Sequence, residues 1–192
     1  MHDDNFLRTT GIDQALYDLN STELEAYNQA NIWMDWDTQI TPTLTQTLNI
    51  IHDFEHIEVE VKAVATKIEA EKLVLVLQKQ LQGFEQTAVI TSFDLKIHQA
   101  LEQQKSSFKR GLLIEEDIKE LAIEQALQLG CCHIGWMNQL ATDEMIQATQ
   151  KAGLSMSVWT VNDIQRAKQL QKLGIDGLIT DFPKMMLENL HR

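Results

Sequence analysis

The side chains of this chain best equipped for chemistry are few and widely spaced. His2 offers an imidazole, which titrates near neutrality and can give or take a proton. Glu58, Glu60 and Lys62 occupy alternate positions of Ile57-Glu-Val-Glu-Val-Lys62, so on a strand they share one face. Three charged groups on one face of an apolar strand are costly to bury unless they pair or bind something. A third group, Trp159, Thr160, Asn162, Thr180 and Asp181, follows two short apolar runs near the C-terminus. Each set has a plainer reading. His2 can be an exposed terminal histidine, Glu60 and Lys62 an ordinary ion pair, and Trp159 a core residue. Asn162 or Asp163, Thr180 with Asp181, and Ser92-Phe93-Asp94 can serve as helix caps.

The elements that must position these residues read as helices and strands in alternation. Gly153 to Asp163 and Leu173 to Pro183 each hold a short apolar run entered through Gly, and Ile164–Lys172 between them has helical periodicity. So short a crossover makes the two strands parallel neighbours that end at one rim of a sheet, where such folds carry their chemistry. Upstream, helices are predicted over 42–53 (Thr41 as N-cap, Pro42 at the first helical position), 66–82, 94–104, 117–129 and 142–152, with a last one over Pro183–His191. Strands are predicted over 57–61, 87–91, 111–114 and 131–135. From Pro42 onward this gives six strands and seven helices, which argues a parallel sheet. Residues 1–40 lack a long apolar period, and Thr22-Glu-Leu-Glu25 reads as a helix start with Ser21 or Thr22 as cap.

Length and charge narrow the classes. A chain of 192 residues with 44% hydrophobic content is expected to form one domain, 1–192, with 1–40 as an appended region and 41–192 as the helix and strand alternation. A net charge of −12 repels phosphate backbones and anionic membranes, so no nucleic-acid partner is expected. No window is apolar over the roughly 18 residues of a membrane span, and the first residues lack the order of a signal peptide, so a cytoplasmic chain is expected. Cys131 and Cys132 are adjacent, point to opposite faces if on a strand, and read as reduced thiols of a buried strand.

Three segments in order, "HDDNFLRTTG" (2–11), "IEVEVK" (57–62) and the pair "WTVND" with "GIDGLITDFP" (159–163 and 174–183), resemble the glycerophosphodiester phosphodiesterase family. The resemblance implies an α/β fold, a TIM-type (β/α) barrel lacking its first strand, first helix and second strand, with a small N-terminal insertion region. It implies a phosphoric diester hydrolase that cleaves glycerophosphodiesters to glycerol 3-phosphate and an alcohol in lipid metabolism. In it His2 is an acid/base group, Glu60 a ligand of a divalent cation (Mg²⁺ or Ca²⁺), Lys62 a phosphate contact and Trp159 a wall of the glycerol pocket. The sequence contains no His-Arg-Gly, Glu-Asn-Thr or upstream Glu-x-Asp, motifs that supply the family's other histidine and most of its metal carboxylates. An N-terminally truncated domain with impaired activity and a weakly bound cation is therefore expected. The alternative is a non-catalytic remnant that binds a phospho-ligand or a protein. An open sheet edge would further favour a homo-oligomer.

Overall fold

The computed structural model describes residues 2–190, which cluster into two compact units, 2–53 and 54–190. The expected end of the last helix at His191 lies outside the described residues.

The first unit has little regular structure. It contains α1 (Leu7–Thr10), two single 3₁₀ turns at Leu16–Asp18 and Glu23–Ala26, and α2 (Leu44–Ile50). Phe6 is fully buried and stacks on Tyr27 at 4.5 Å between ring centroids. Neither expected cap of the second 3₁₀ turn works as one. Asn20 instead takes the amide hydrogens of Thr22 and Glu23 on its side-chain oxygen, at 3.1 Å each. Helix α2 starts two residues later than Pro42 because Thr43 and Gln46 form a reciprocal capping box.

The second unit is a single parallel sheet with helices between its strands. In chain order it runs β1 (Ile57–Glu60), α3 (Lys67–Gln80), β2 (Ala88–Ser92), α4 (Leu95–Gln103), β3 (Lys109–Ile114), α5 (Glu120–Gln128), β4 (His133–Met137), α6 (Asp143–Lys151), β5 (Ser155–Trp159), α7 (Ile164–Leu173), β6 (Gly177–Leu178) and α8 (Pro183–Asn189). Sheet order equals chain order, and every pairing is parallel. This is the α/β, TIM-like architecture expected, with six strands where a closed barrel has eight.

Period-two alternation sorts the strands' side chains. Leu112, Ile114, Ile134, Trp136, Met156 and Val158 face outward and are buried against Ala122, Ile123, Ala126, Met145, Ile146, Ala167 and Leu170 of the helices. The Trp136 indole N–H donates to Thr149 within that layer, at 3.1 Å. The other face carries Glu58, Val89, Thr91, Gly111, Leu113, His133, Gly135, Ser155, Ser157 and Gly177, a lining in which polar and small residues outnumber the branched apolar side chains usual inside such barrels.

Four helices of this second unit begin with a side-chain cap. Thr66, Asp94, Thr142 and Asp163 accept from the backbone N–H of Glu69, Lys96, Met145 and Arg166. Three starts in this unit differ from expectation by two residues or more, and β3 begins at Lys109 rather than Gly111 because Val89 and Ile90 of β2 already pair with Lys109 and Arg110. Helix α5 starts at Glu120 rather than Asp117, because a tight turn from Glu116 to Ile118 leads into Lys119 at φ 50°. Strand β4 starts at His133 rather than Cys131, because the Cys131 amide closes the end of α5 on Ala126. Cys131 is buried and Cys132 exposed, and both are free thiols.

Candidate active site

In a parallel α/β sheet the C-terminal ends of the strands form the working rim. Glu60 is the last residue of β1, Lys62 follows it, and Trp159 ends β5. The Lys62 ammonium donates to Glu60 at 2.5 Å, and both side chains remain about one third exposed. The pair is therefore a solvated one. Beside it, the Val61 carbonyl accepts from the Ser92 hydroxyl (2.7 Å), and Ser92 in turn accepts from the Asp94 amide. Asp94 caps α4 and also takes the Val64 amide (3.1 Å), so one carboxylate fixes the loop that leaves β1. Burial alone would raise the Asp94 carboxyl's pKa, but these amides and the Lys96 ammonium outweigh burial and hold it below its ordinary value.

Trp159 is half-buried and meets Phe93 edge to face at 5.6 Å. Its buried indole N–H has no acceptor among the described residues. The alternatives left open for the following loops resolve into a division of labour. Asp163 caps α7, whereas Asn162 accepts from the Thr180 hydroxyl and the Asp181 amide and donates to the Asp181 carboxylate at 2.7 Å. Asn162 thus ties the loop after β5 to the loop after β6.

His2 belongs to the first unit. Its Nδ1 lies 2.7 Å from Asp3, and Asp3 accepts two further bonds from the Arg8 guanidinium, at 2.7 and 3.0 Å. The Arg8 hydrogen bond first, and that of His2 second, hold the Asp3 carboxyl down at about 2. An ionised carboxylate only accepts, so Nδ1 carries the hydrogen and Nε2 is the nitrogen able to take a proton. A cleft of about 970 Å³ in this unit is lined by His2, Asp3, Arg8, Gln29, Thr41 and Asn49 among others.

Sequence reasoning missed a constellation deeper in the sheet. The Glu58 carboxylate accepts from the Ser157 hydroxyl (3.2 Å) and lies 3.4 Å from His133 Nε2 and 3.3 Å from His56 Nε2. His133 contacts Ser155 through Nδ1 (2.9 Å) and Ser157 through Nε2 (3.1 Å). Burial pushes the Glu58 carboxyl's pKa upward, but His133, His56 and Ser157 together outweigh it, and the net shift is downward. The charge of Glu58 on the face of Glu60 and Lys62 was one signal that it needs a partner, and the signal for His133 was a histidine set between apolar residues and near strand glycines.

The donor set fits a hard divalent cation poorly. Such an ion takes about six oxygens, usually with more than one carboxylate. Among the described residues, no three of His, Cys, Asp and Glu gather in a way that could hold a metal ion, and Glu60 is already paired with Lys62.

With this geometry in place, comparison with known proteins gives a consistent result. Over 193 aligned residues, covering 98% of this chain and 79% of the relative, the chain is 25% identical to YhdW of Bacillus subtilis (strain 168). It is 23% identical to the glycerophosphodiester phosphodiesterase of Caldanaerobacter subterraneus subsp. tengcongensis, over 97% of this chain and 77% of that protein. Its fold matches the Oleispira antarctica phosphodiesterase solved with sn-glycerol-3-phosphate, at a TM-score of 0.81 and 18% identity, over 98% of this chain and 77% of that one. The family model described as the glycerophosphoryl diester phosphodiesterase family matches residues 1–185, and the chain belongs to that family.

Proposed function

We propose that the chain hydrolyses glycerophosphodiesters to glycerol 3-phosphate and an alcohol, a step of lipid metabolism, with Lys62 and Glu60 at the centre of its substrate rim. The observation that carries this reading is the exposed Lys62–Glu60 pair at the end of β1, on the same rim as Trp159 at the end of β5. In hydrolysis the oxygen of water bonds to phosphorus, the P–O bond to one alcohol breaks, and the departing alkoxide takes a proton. Lys62 contributes a point charge for the phosphate oxygens. Trp159 contributes an apolar wall and an unpartnered N–H for a substrate oxygen. His2, oriented through Nδ1 by Asp3, moves a proton at Nε2. A bound divalent cation, Mg²⁺ or Ca²⁺, would supply charge neutralisation at the phosphate. The rim carboxylate Glu60 would hold it weakly by itself.

A second reading, a non-catalytic module that binds a phospho-ligand or a protein, is favoured by that same poor donor set for a cation. Hydrolysis of glycerophosphocholine, followed as glycerol 3-phosphate release with Mg²⁺, with Ca²⁺ and with chelator, separates the two. Turnover that falls about 10²-fold or more in Lys62→Ala and in His2→Ala supports the hydrolase. Absence of turnover, with calorimetric binding of glycerol 3-phosphate that Lys62→Ala abolishes, supports the binding module.

A further inference from the structure

Glu58 lies two residues before Glu60 on the same face of β1, yet besides neighbouring His56 its partners belong to strands on the far side of the sheet. Ser157 on β5 donates to one carboxylate oxygen and His133 on β4 approaches the other. The Ser155 hydroxyl donates to the Cys132 carbonyl (3.1 Å), so it receives the His133 Nδ1–H and fixes the ring. Glycines make the room for this network. A Cβ on Gly111 would stand 2.9 Å from His133 Cδ2, and one on Gly177 would stand 3.2 Å from Ser157 Cβ and 3.8 Å from the Glu58 carboxylate. His133 is 1% exposed and Ser157 0%, so the contacts are shielded from water, where a hydrogen bond to a charge counts for more.

Strand β1 needs such a hold. It lies at one end of the sheet order and pairs through its backbone with β2 alone among the described strands. The network gives it a second attachment, through its side chain and across the interior.

We propose that Glu58 is a positioning residue, whose buried ties to Ser157 and His133 anchor β1 from inside the sheet and hold Glu60 and Lys62 at the rim. The role given to Glu60 and Lys62 rests on the phosphodiesterase reading, whereas the anchor is measurable without turnover. Backbone hydrogen exchange reads it directly. The Ile57 and Val61 amides donate to β2 and its approach at 2.9 and 2.8 Å, and the Cys132 amide, donating to Arg110 at 3.0 Å, serves as reference. Ser157→Ala removes one hydroxyl with almost no change in volume, and Glu58→Ala removes the whole tie. Each is expected to speed exchange at Ile57 and Val61 by about tenfold or more, the size of a lost hydrogen bond to a charged group, with Cys132 within about twofold of wild type. Glycerophosphocholine turnover should fall along with the loosening of β1. The proposal is overturned if Val61 exchanges as slowly as in wild type, if Val61 and Cys132 accelerate together, or if β1 loosens while turnover holds. A wild-type chain without turnover would sink the phosphodiesterase reading and leave Val61 to decide on the anchor.

Discussion

The imidazole of His133 fills the space beside Gly111: a Cβ on that glycine would lie 2.9 Å from His133 Cδ2 and 2.9 Å from Thr91 Cγ2. Neither neighbour is the free end of a flexible chain, since both residues are only 1% exposed. Gly111→Ala should therefore behave as an overpacking substitution and cost about 1–3 kcal/mol, seen as a lower urea midpoint at unchanged slope. An unaltered midpoint would mean that β3 and β4 are free to separate.

Asp3 gives the first unit an acid-sensitive contact. Its carboxyl is held at about 2 against an ordinary 3.8, so the stabilisation it lends is complete above 3.8 and is lost as the pH falls through about 2. Between these limits the Arg8 guanidinium NMR signals of the wild type should move toward free-arginine values. Asp3→Asn should show no such transition, and an identical transition in both would assign the effect elsewhere.

Asp94 combines a helix cap with a loop tie, and Asp94→Ala should cost about 1–2 kcal/mol at neutral pH. Its carboxyl is held below the ordinary 3.8, so this difference is present above that pH and shrinks as the pH falls below it. Parallel thermal melts of wild type and variant at pH 7 and pH 3 measure it. A gap that widened in acid would contradict the assignment.

Burial pushes the Cys131 thiol up to about 12, whereas Cys132 is exposed. A thiol reagent at pH 8 should modify one cysteine in the native protein and two after denaturation, and peptide mass mapping should place the native adduct on Cys132. Labelling of Cys131 without unfolding would show that the α5 to β4 turn opens readily.

What the sequence made legible was local. The alternation of helix and strand, and the caps Asp94 and Asp163, depend on residues within one turn of each other. The pairing of Glu60 with Lys62 depends on a spacing of two, and it too could be read directly. The starts of α5 and β4 were not legible, because a positive φ at Lys119 and a helix-closing bond from Cys131 leave no periodic trace. The Glu58 constellation was hidden for a different reason. Glu58 and Ser157 stand ninety-nine positions apart and meet only because the sheet curls. Exposed unit-one residues such as Met34 (96%) and Trp36 (68%) show the converse, apolar side chains that no core absorbs.

The capped helix starts carry an electrostatic consequence. Thr66, Asp94, Thr142 and Asp163 all follow the C-terminal ends of strands, so the amino ends of α3, α4, α6 and α7 are directed to the rim of Lys62 and Trp159. Each aligned stack of peptide dipoles presents about half a positive charge at that end. In a molecule of net charge −12 these four ends, together with Lys62, offset the carboxylates of Glu60, Asp94 and Asp163 at that rim, and charges so close together are screened by salt far less than the repulsion from the distant surface.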